Sequence, residues 1–184
     1  MSPALRLFVA LDLPASARDE IAGWRDRALV SREDLRPVPV AGLHVTLVFL
    51  GSRDAGRVPA IWEAASAAAL EGQAPPLLAP DELVGVPQRL PRLVALGLLD
   101  EGARAAVLQR AVADSLASAQ SHERERRRFW PHVTLARLRT GASWRPLDGS
   151  PALAPFHATA LTLYCSHLAP SGARYEALRR CELG

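Results

Sequence analysis

His44-Val45-Thr46-Leu47 recurs unchanged as His132-Val133-Thr134-Leu135, once in each half of a 184-residue chain. Each copy lies in an apolar run of strand type, residues 43–50 and 132–138. Side chains alternate along a strand, so a His and a Thr two positions apart point to the same face. A strand that offers imidazole and then hydroxyl, given twice, predicts two histidines facing each other across one site. A paired general acid and base need that geometry. Thr alone is ordinary strand composition; the repetition of the whole tetrad is what points to chemistry.

Working outward, residues 5–11 (Leu-Arg-Leu-Phe-Val-Ala-Leu) read as a strand closed by Asp12-Leu13-Pro14, with Pro14 suited to a first helical turn and Asp12 or Ser16 as its cap. Ile21, Trp24, Ala28 and Leu29 predict an amphipathic helix over 15–30. Arg36-Pro37-Val38-Pro39 breaks regular structure, and Gly51-Ser52 is expected to end the first motif strand. A second helix is expected over about 57–70, with Ile61, Trp62 and Leu70 as its apolar positions. Short strands over 82–86 and 92–98 follow as a hairpin, then a helix over 100–119 with Ala106, Val107, Ala111, Val112 and Leu116 on one side. A basic loop, Arg124–Arg128, leads through Phe129-Trp130-Pro131 into the second motif strand, and the tail adds strands at 157–165 and about 174–183. Each half thus supplies a strand, a helix and one His-x-Thr strand. This is a degenerate two-lobe duplication, with the lobes meeting at a cleft lined by the motif strands. The length fits one bilobal domain over residues 1–184.

The composition, 49% hydrophobic and 22% charged, supports a substantial core, and the net charge of +3 is mildly basic. All 22 basic residues are arginine. Without lysine there is no lysyl adenylate, no Schiff base and no phosphate-loop lysine, which excludes covalent-lysine nucleotidyl transfer. Arginine's planar fork suits phosphate oxygens. Two irregularly placed cysteines, Cys165 and Cys181, make neither a zinc module nor a disulfide framework. No secretory signal pattern opens the chain, and no apolar run reaches the roughly 18 residues of a membrane span. A soluble, cytoplasmic protein is expected.

Two imidazoles and two hydroxyls, without a nucleophilic elbow or metal-ligand cysteines, suit phosphodiester cleavage by acid–base catalysis. One His takes a proton from water and the other gives one to the leaving oxygen. The Thr hydroxyls can donate to non-bridging phosphate oxygens and stabilise the charge of a pentavalent transition state. No metal or other cofactor is required. The pattern does not say which histidine takes which role.

The stretches LRLFVALDLP (5–14), GLHVTLVFLG (42–51), FWPHVTLARL (129–138) and LYCSHLAPSGARYEAL (163–178) together resemble the two-histidine (2H) phosphoesterases. More narrowly, they resemble the 2′-5′ RNA ligase-like group of RNA 2′,3′-cyclic phosphodiesterases. The resemblance implies a bilobal, pseudo-twofold α+β fold, with two antiparallel sheets forming a central groove and helices outside. It implies hydrolysis of RNA 2′,3′-cyclic phosphate ends to 2′-phosphomonoesters, on tRNA fragments or small cyclic nucleotides, by a monomer. It also implies His44 as proton donor, His132 as proton acceptor, and Thr46 and Thr134 as phosphate ligands. An arginine near the second motif is expected to assist the phosphate. Arg137 is the positional match, although strict alternation puts it on the face opposite His132 unless the strand bends or ends there. Arg128, in the preceding loop, is the alternative, and for either residue a solvated surface role competes. Tyr175 and Ser166 fall in the family's C-terminal pattern without a defined role. His122, His157 and His167 have no matching partner, and Trp130 and Phe129 are expected to pack in the core rather than stack a base.

Two other functions compete with hydrolysis. The same chemistry run backwards joins a cyclic phosphate end to a hydroxyl as an ATP-independent 2′-5′ ligation, which the abundance of water makes a side activity. The other is a non-catalytic module that binds RNA ends; a complete set of two histidines and two threonines argues against it.

Overall fold

Leu7, Val9 and Leu11 of strand β1 (Ala4–Asp12) are buried, and between them Arg6, Phe8, Ala10 and Asp12 take the opposite face. That split fixes the architecture of the computed structural model, which describes residues 3–69, 74–119, 128–169 and 172–184. The leucine face meets helix α1 (Ala15–Ala28), α2 (Val58–Ala67) and α3 (Arg104–Ser118) in one apolar core that includes Ile21, Ile61 and Leu116. The other face is left for the site.

The remaining strands are β2 (Leu35–Pro37), β3 (His44–Asp54), β4 (Leu77–Val86), β5 (Leu93–Glu101), β6 (His132–Leu138), β7 (Phe156–His157), β8 (Ala160–Ala169) and β9 (Gly172–Glu182). Among the described residues these nine strands form one antiparallel sheet in the order β7-β4-β5-β6-β3-β1-β8-β9, with β2 alongside β6. The two expected sheets are the two halves of this one. They join where β3 meets β6, through the residue pair Val45 and Val133, and where β2 pairs along β6. The approximate twofold is visible in the connectivity: β1-α1-β3 in one half answers β5-α3-β6 in the other, each motif strand pairing with the strand that precedes its helix.

Several elements differ from expectation for local reasons. Pro14 caps α1 without a side-chain hydrogen bond, and the Asp12 carboxylate instead accepts from Thr162, Tyr164 and Arg180. The segment 35–37 is a short strand, since β6 has a free edge there for it to pair with. Gly51, at φ +70°, does not end β3, which continues to Asp54. The third helix starts at Arg104 because Asp100 is the acceptor for its first turn, its carboxylate receiving the Ala105 and Ala106 amides. Its buried positions are Ala105, Leu108, Val112, Ala113 and Leu116, and Val107 faces solvent. Leu70, His122 and residues 124–127 of the basic loop lie outside the described residues.

Candidate active site

The pairing of Val45 with Val133 brings His44 alongside Thr134 and Thr46 alongside His132. Both valines are fully buried, so all four flanking side chains take the groove face together. Each half therefore contributes one imidazole and one hydroxyl to a square in which like groups sit on the diagonals. All four line one cavity of about 690 Å³.

At the last residue of each tetrad the strand bulges in the same way. Opposite β1, Ala10 pairs with Thr46 but Val9 pairs with Val48; opposite β5, Ala95 pairs with Thr134 but Val94 pairs with Ala136. Leu47 and Leu135 are the extra residues. A bulge shifts the alternation by one, which the burial shows directly: Leu47 and Val48 are both buried, as are Leu135 and Ala136. The side chains five positions after each histidine, Phe49 and Arg137, are thereby turned back onto the groove face, and both line the cavity. The strand thus bends inside its length, and Arg137 shares the cavity with His132 and Thr134.

The two imidazoles sit in unlike surroundings. The ring of His132 stacks on Trp130 at 4.5 Å between centroids and 17° between planes. Its Nδ1 lies 2.9 Å from the Trp130 carbonyl. A carbonyl can only accept, so Nδ1 carries the proton and Nε2 presents a lone pair to the cavity. Burial lowers the pKa of His132, and the carbonyl bond opposes that shift. Gly97, directly across from His132, makes room for the indole: a Cβ there meets Trp130 Cζ2 at 3.2 Å. Trp130, expected to pack in the core, is half-buried and instead lies against the His132 ring, whereas Phe129 does pack on the core.

His44 is stacked on Phe8 at 4.9 Å and met edge-on by Tyr175 at 5.2 Å. Its Nε2 lies 3.1 Å from Thr46 Oγ1. Burial pushes its pKa down to about 4, opposed first by the Asp12 charge and then by the Gly42 carbonyl, and reinforced by His132 and Arg137. Nδ1 is buried without a hydrogen-bond partner among the described residues; Gly42's oxygen favours the cation without being placed to accept. Asp12 is the cross-strand neighbour of His44 and is itself fixed by Thr162, Tyr164 and Arg180, at 2.9, 2.7 and 3.0 Å. The Tyr164 ring continues the stack behind Phe8, 5.2 Å away.

Arg128 lies elsewhere: it lines a neighbouring cavity of about 270 Å³ with Phe129 and Trp130, which meets the main one at Thr46, Phe49, Val86 and His132. Ser166 and Tyr175 line the main cavity. His157 contacts the Pro75 carbonyl and His167 pairs with Glu176, both away from the groove. Phe49, Arg6, Arg36 and the Asp12–Tyr164 support were missed by sequence reasoning. The even positions of β1 carried the signal for Arg6, Phe8 and Asp12, whereas Phe49 depends on the bulge. Among the described residues, no group of three or more His, Cys, Asp or Glu is gathered as a metal site.

Two His-x-Thr strands side by side on the open face of a helix-backed antiparallel sheet define a two-histidine phosphoesterase. A family model described as LigT like phosphoesterase matches residues 11–94. The RNA 2′,3′-cyclic phosphodiesterase of Escherichia coli (strain K12) is 33% identical over 183 residues, covering 100% of this chain and 99% of that protein. Among solved structures, E. coli LigT complexed with 3′-AMP matches with a TM-score of 0.75 at 30% identity, over 98% of this chain and 99% of that one. TT0787 of Thermus thermophilus matches with a TM-score of 0.81 at 26% identity, over 97% and 98%. The chain belongs to the LigT-like phosphoesterase family.

Proposed function

We propose that this protein hydrolyses RNA 2′,3′-cyclic phosphodiester ends to 2′-phosphomonoesters by His/His acid–base catalysis. The observation that carries the reading is the convergence of both His-x-Thr pairs on one cavity whose described lining contains no carboxylate. The full-length likeness to a cyclic phosphodiesterase supports the substrate class.

In this mechanism Nε2 of His132 takes a proton from water as the water oxygen bonds to phosphorus. The P–O3′ bond breaks, and Nε2 of His44 protonates the departing 3′ oxygen, leaving the phosphate on O2′. The environments support that order of roles. The Trp130 carbonyl fixes the proton of His132 on Nδ1, leaving Nε2 as a base. Asp12 and the Gly42 carbonyl both favour a protonated His44. The Thr46 and Thr134 hydroxyls and the Arg137 guanidinium hold the non-bridging oxygens, where fixed donors stabilise developing charge; Arg128, in the adjoining cavity, reaches the rest of the ligand. The substrate is an RNA end, borne by a tRNA fragment or a small cyclic nucleotide. All four motif residues come from one chain, which supports a bilobal domain acting as a monomer, placed in the cytoplasm. No helix among the described residues is long and apolar enough to cross a membrane.

The test is incubation of a 2′,3′-cyclic-phosphate oligonucleotide in chelator, with the phosphate position of the product identified by NMR. A 2′-phosphomonoester is expected. A 3′-phosphomonoester, or no turnover with tight binding, contradicts the proposal; joined strands on adding a 5′-hydroxyl acceptor would identify ligation.

A further inference from the structure

Asp12 lies on β1, which in the sheet separates β3, the strand of His44, from β8 and β9. It is the cross-strand neighbour of His44, and an imidazole beside a carboxylate commonly gives it the Nδ1 proton. Here it does not: His44 Nδ1 is buried with no partner among the described residues. Both Asp12 oxygens are engaged from the other side. Oδ1 accepts from Tyr164 at 2.7 Å, and Oδ2 accepts from Thr162 at 2.9 Å and from Arg180 Nε at 3.0 Å. Thr162 and Tyr164 are neutral donors. Arg180, opposite Thr162 in the β8–β9 pairing, brings the one full positive charge in hydrogen-bond contact with Asp12 among the described residues, and its other end pairs with Glu182.

That arrangement bears on the ring of His44. Burial disfavours the imidazolium, and the Asp12 charge is the first influence against that effect. The other charged and titratable groups facing the ring are His132 and Arg137 on β6, which disfavour the cation, and Tyr164 on β8 and Tyr175 on β9, which stack on it or meet its edge. From α1, the Arg18 charge reaches Tyr164.

We propose that Arg180 is a positioning residue for the acid of the reaction: from the edge strand it holds the Asp12 carboxylate off His44 Nδ1 and offsets the negative charge that reaches the ring. Without Arg180, Asp12 acts on the imidazole undiminished from where it stands, or turns to Nδ1. Both raise the proton affinity of His44. The catalytic sense follows from proton-transfer driving force, since an acid that binds its proton weakly yields it readily to the leaving oxygen. The inference rests on the hydrolase reading only for that consequence.

The test is the titration midpoint of His44, read by NMR on ring-labelled protein without substrate, beside the pH profile of kcat/KM. The Arg180 side chain is 45% exposed on an edge strand, so Arg180→Gln opens no hole in the core. It is expected to raise the midpoint by about one pH unit, tenfold in proton affinity, the scale on which a neighbouring charge acts. The acid limb of kcat/KM should rise with it, and Arg180→Lys should restore both. In an Asp12→Asn background, most of the rise on adding Arg180→Gln is expected to vanish, because the charge that Arg180 offsets is gone. Glu182→Gln, at an exposed side chain, leaves Arg180 to Asp12 alone and is expected to lower the midpoint. An unmoved or lowered midpoint in Arg180→Gln, the same rise in both backgrounds, or a raised midpoint in Glu182→Gln overturns the proposal. Wild-type protein without turnover overturns the hydrolase reading instead, and the NMR midpoints still decide the role of Arg180.

Discussion

His44 and His132 are the same side chain in two electrostatic settings, and that difference is the basis of the roles proposed for them. His132 has its Nδ1 proton pinned by the Trp130 carbonyl. His44 has a buried Nδ1, unpartnered among the described residues, next to two influences that favour its cation. Burial lowers both pKa values, His44 to about 4. The active form carries one proton across the pair, so kcat/KM is expected to be bell-shaped with both limbs below the ordinary histidine value of about 6.5. An alkaline limb above that value contradicts the desolvated site. His44→Ala and His132→Ala are each expected to lower kcat by about 10²–10⁴-fold. Asp12→Asn withdraws the charge that opposes desolvation at His44. It should lower kcat/KM and move the acid limb further down in pH; an unmoved limb assigns Asp12 to packing alone.

At the scale of elements, the paired bulges decide what reaches the groove. The tetrads themselves were legible because period-two alternation holds through Leu47 and Leu135, and it placed His and Thr on one face without any tertiary information. Alternation then fails at the next residue, so the groove-facing place of Phe49 was invisible and that of Arg137 was in conflict with the pattern. A bulge is a property of two strands, and a single segment carries no mark of it. The short strand β2 was hidden for the same reason: Arg36-Pro37 reads as a break until the free edge of β6 is in place. Gly97 is an element-level requirement, a missing Cβ on β5 that admits Trp130 behind His132. Gly97→Ala forces the indole to move by a few tenths of an ångström and is expected to lower kcat about tenfold, the order seen when a reacting group is slightly misplaced. Unchanged kcat with an unchanged Trp130 fluorescence spectrum would show that the indole does not seat the base.

For the whole molecule, one sheet runs through both halves, linked by the single residue pair between β3 and β6 and by the short pairing of β2 with β6. The shared helix-side core extends across both halves, so thermal unfolding is expected as one cooperative transition by calorimetry; two resolved transitions would mean independent lobes. Stability also carries the signature of the site. His44 stays neutral in the folded state down to about pH 4, whereas the unfolded chain takes up its proton near pH 6.5. Stability is therefore fully present above about pH 6.5 and falls as pH drops toward 4, by on the order of 3 kcal/mol from this group. His44→Gln should flatten that slope in denaturant titrations at about pH 4.5 and 7, which bracket the shift. The two-lobe order was legible from the spacing of the tetrads. The fusion of the lobes into one sheet was not, because the contact that fuses them is between residues far apart in the chain.

The central claim is that one histidine takes water's proton while the other protonates the leaving oxygen. The most direct measurement uses a 2′,3′-cyclic phosphorothiolate in which sulfur replaces the bridging O3′. A thiolate leaves without protonation, so the acid becomes dispensable and the base does not. The account predicts that His44→Ala recovers most of its lost kcat on the sulfur substrate and His132→Ala recovers none. Recovery in His132→Ala, or equal behaviour of the two variants, would contradict it.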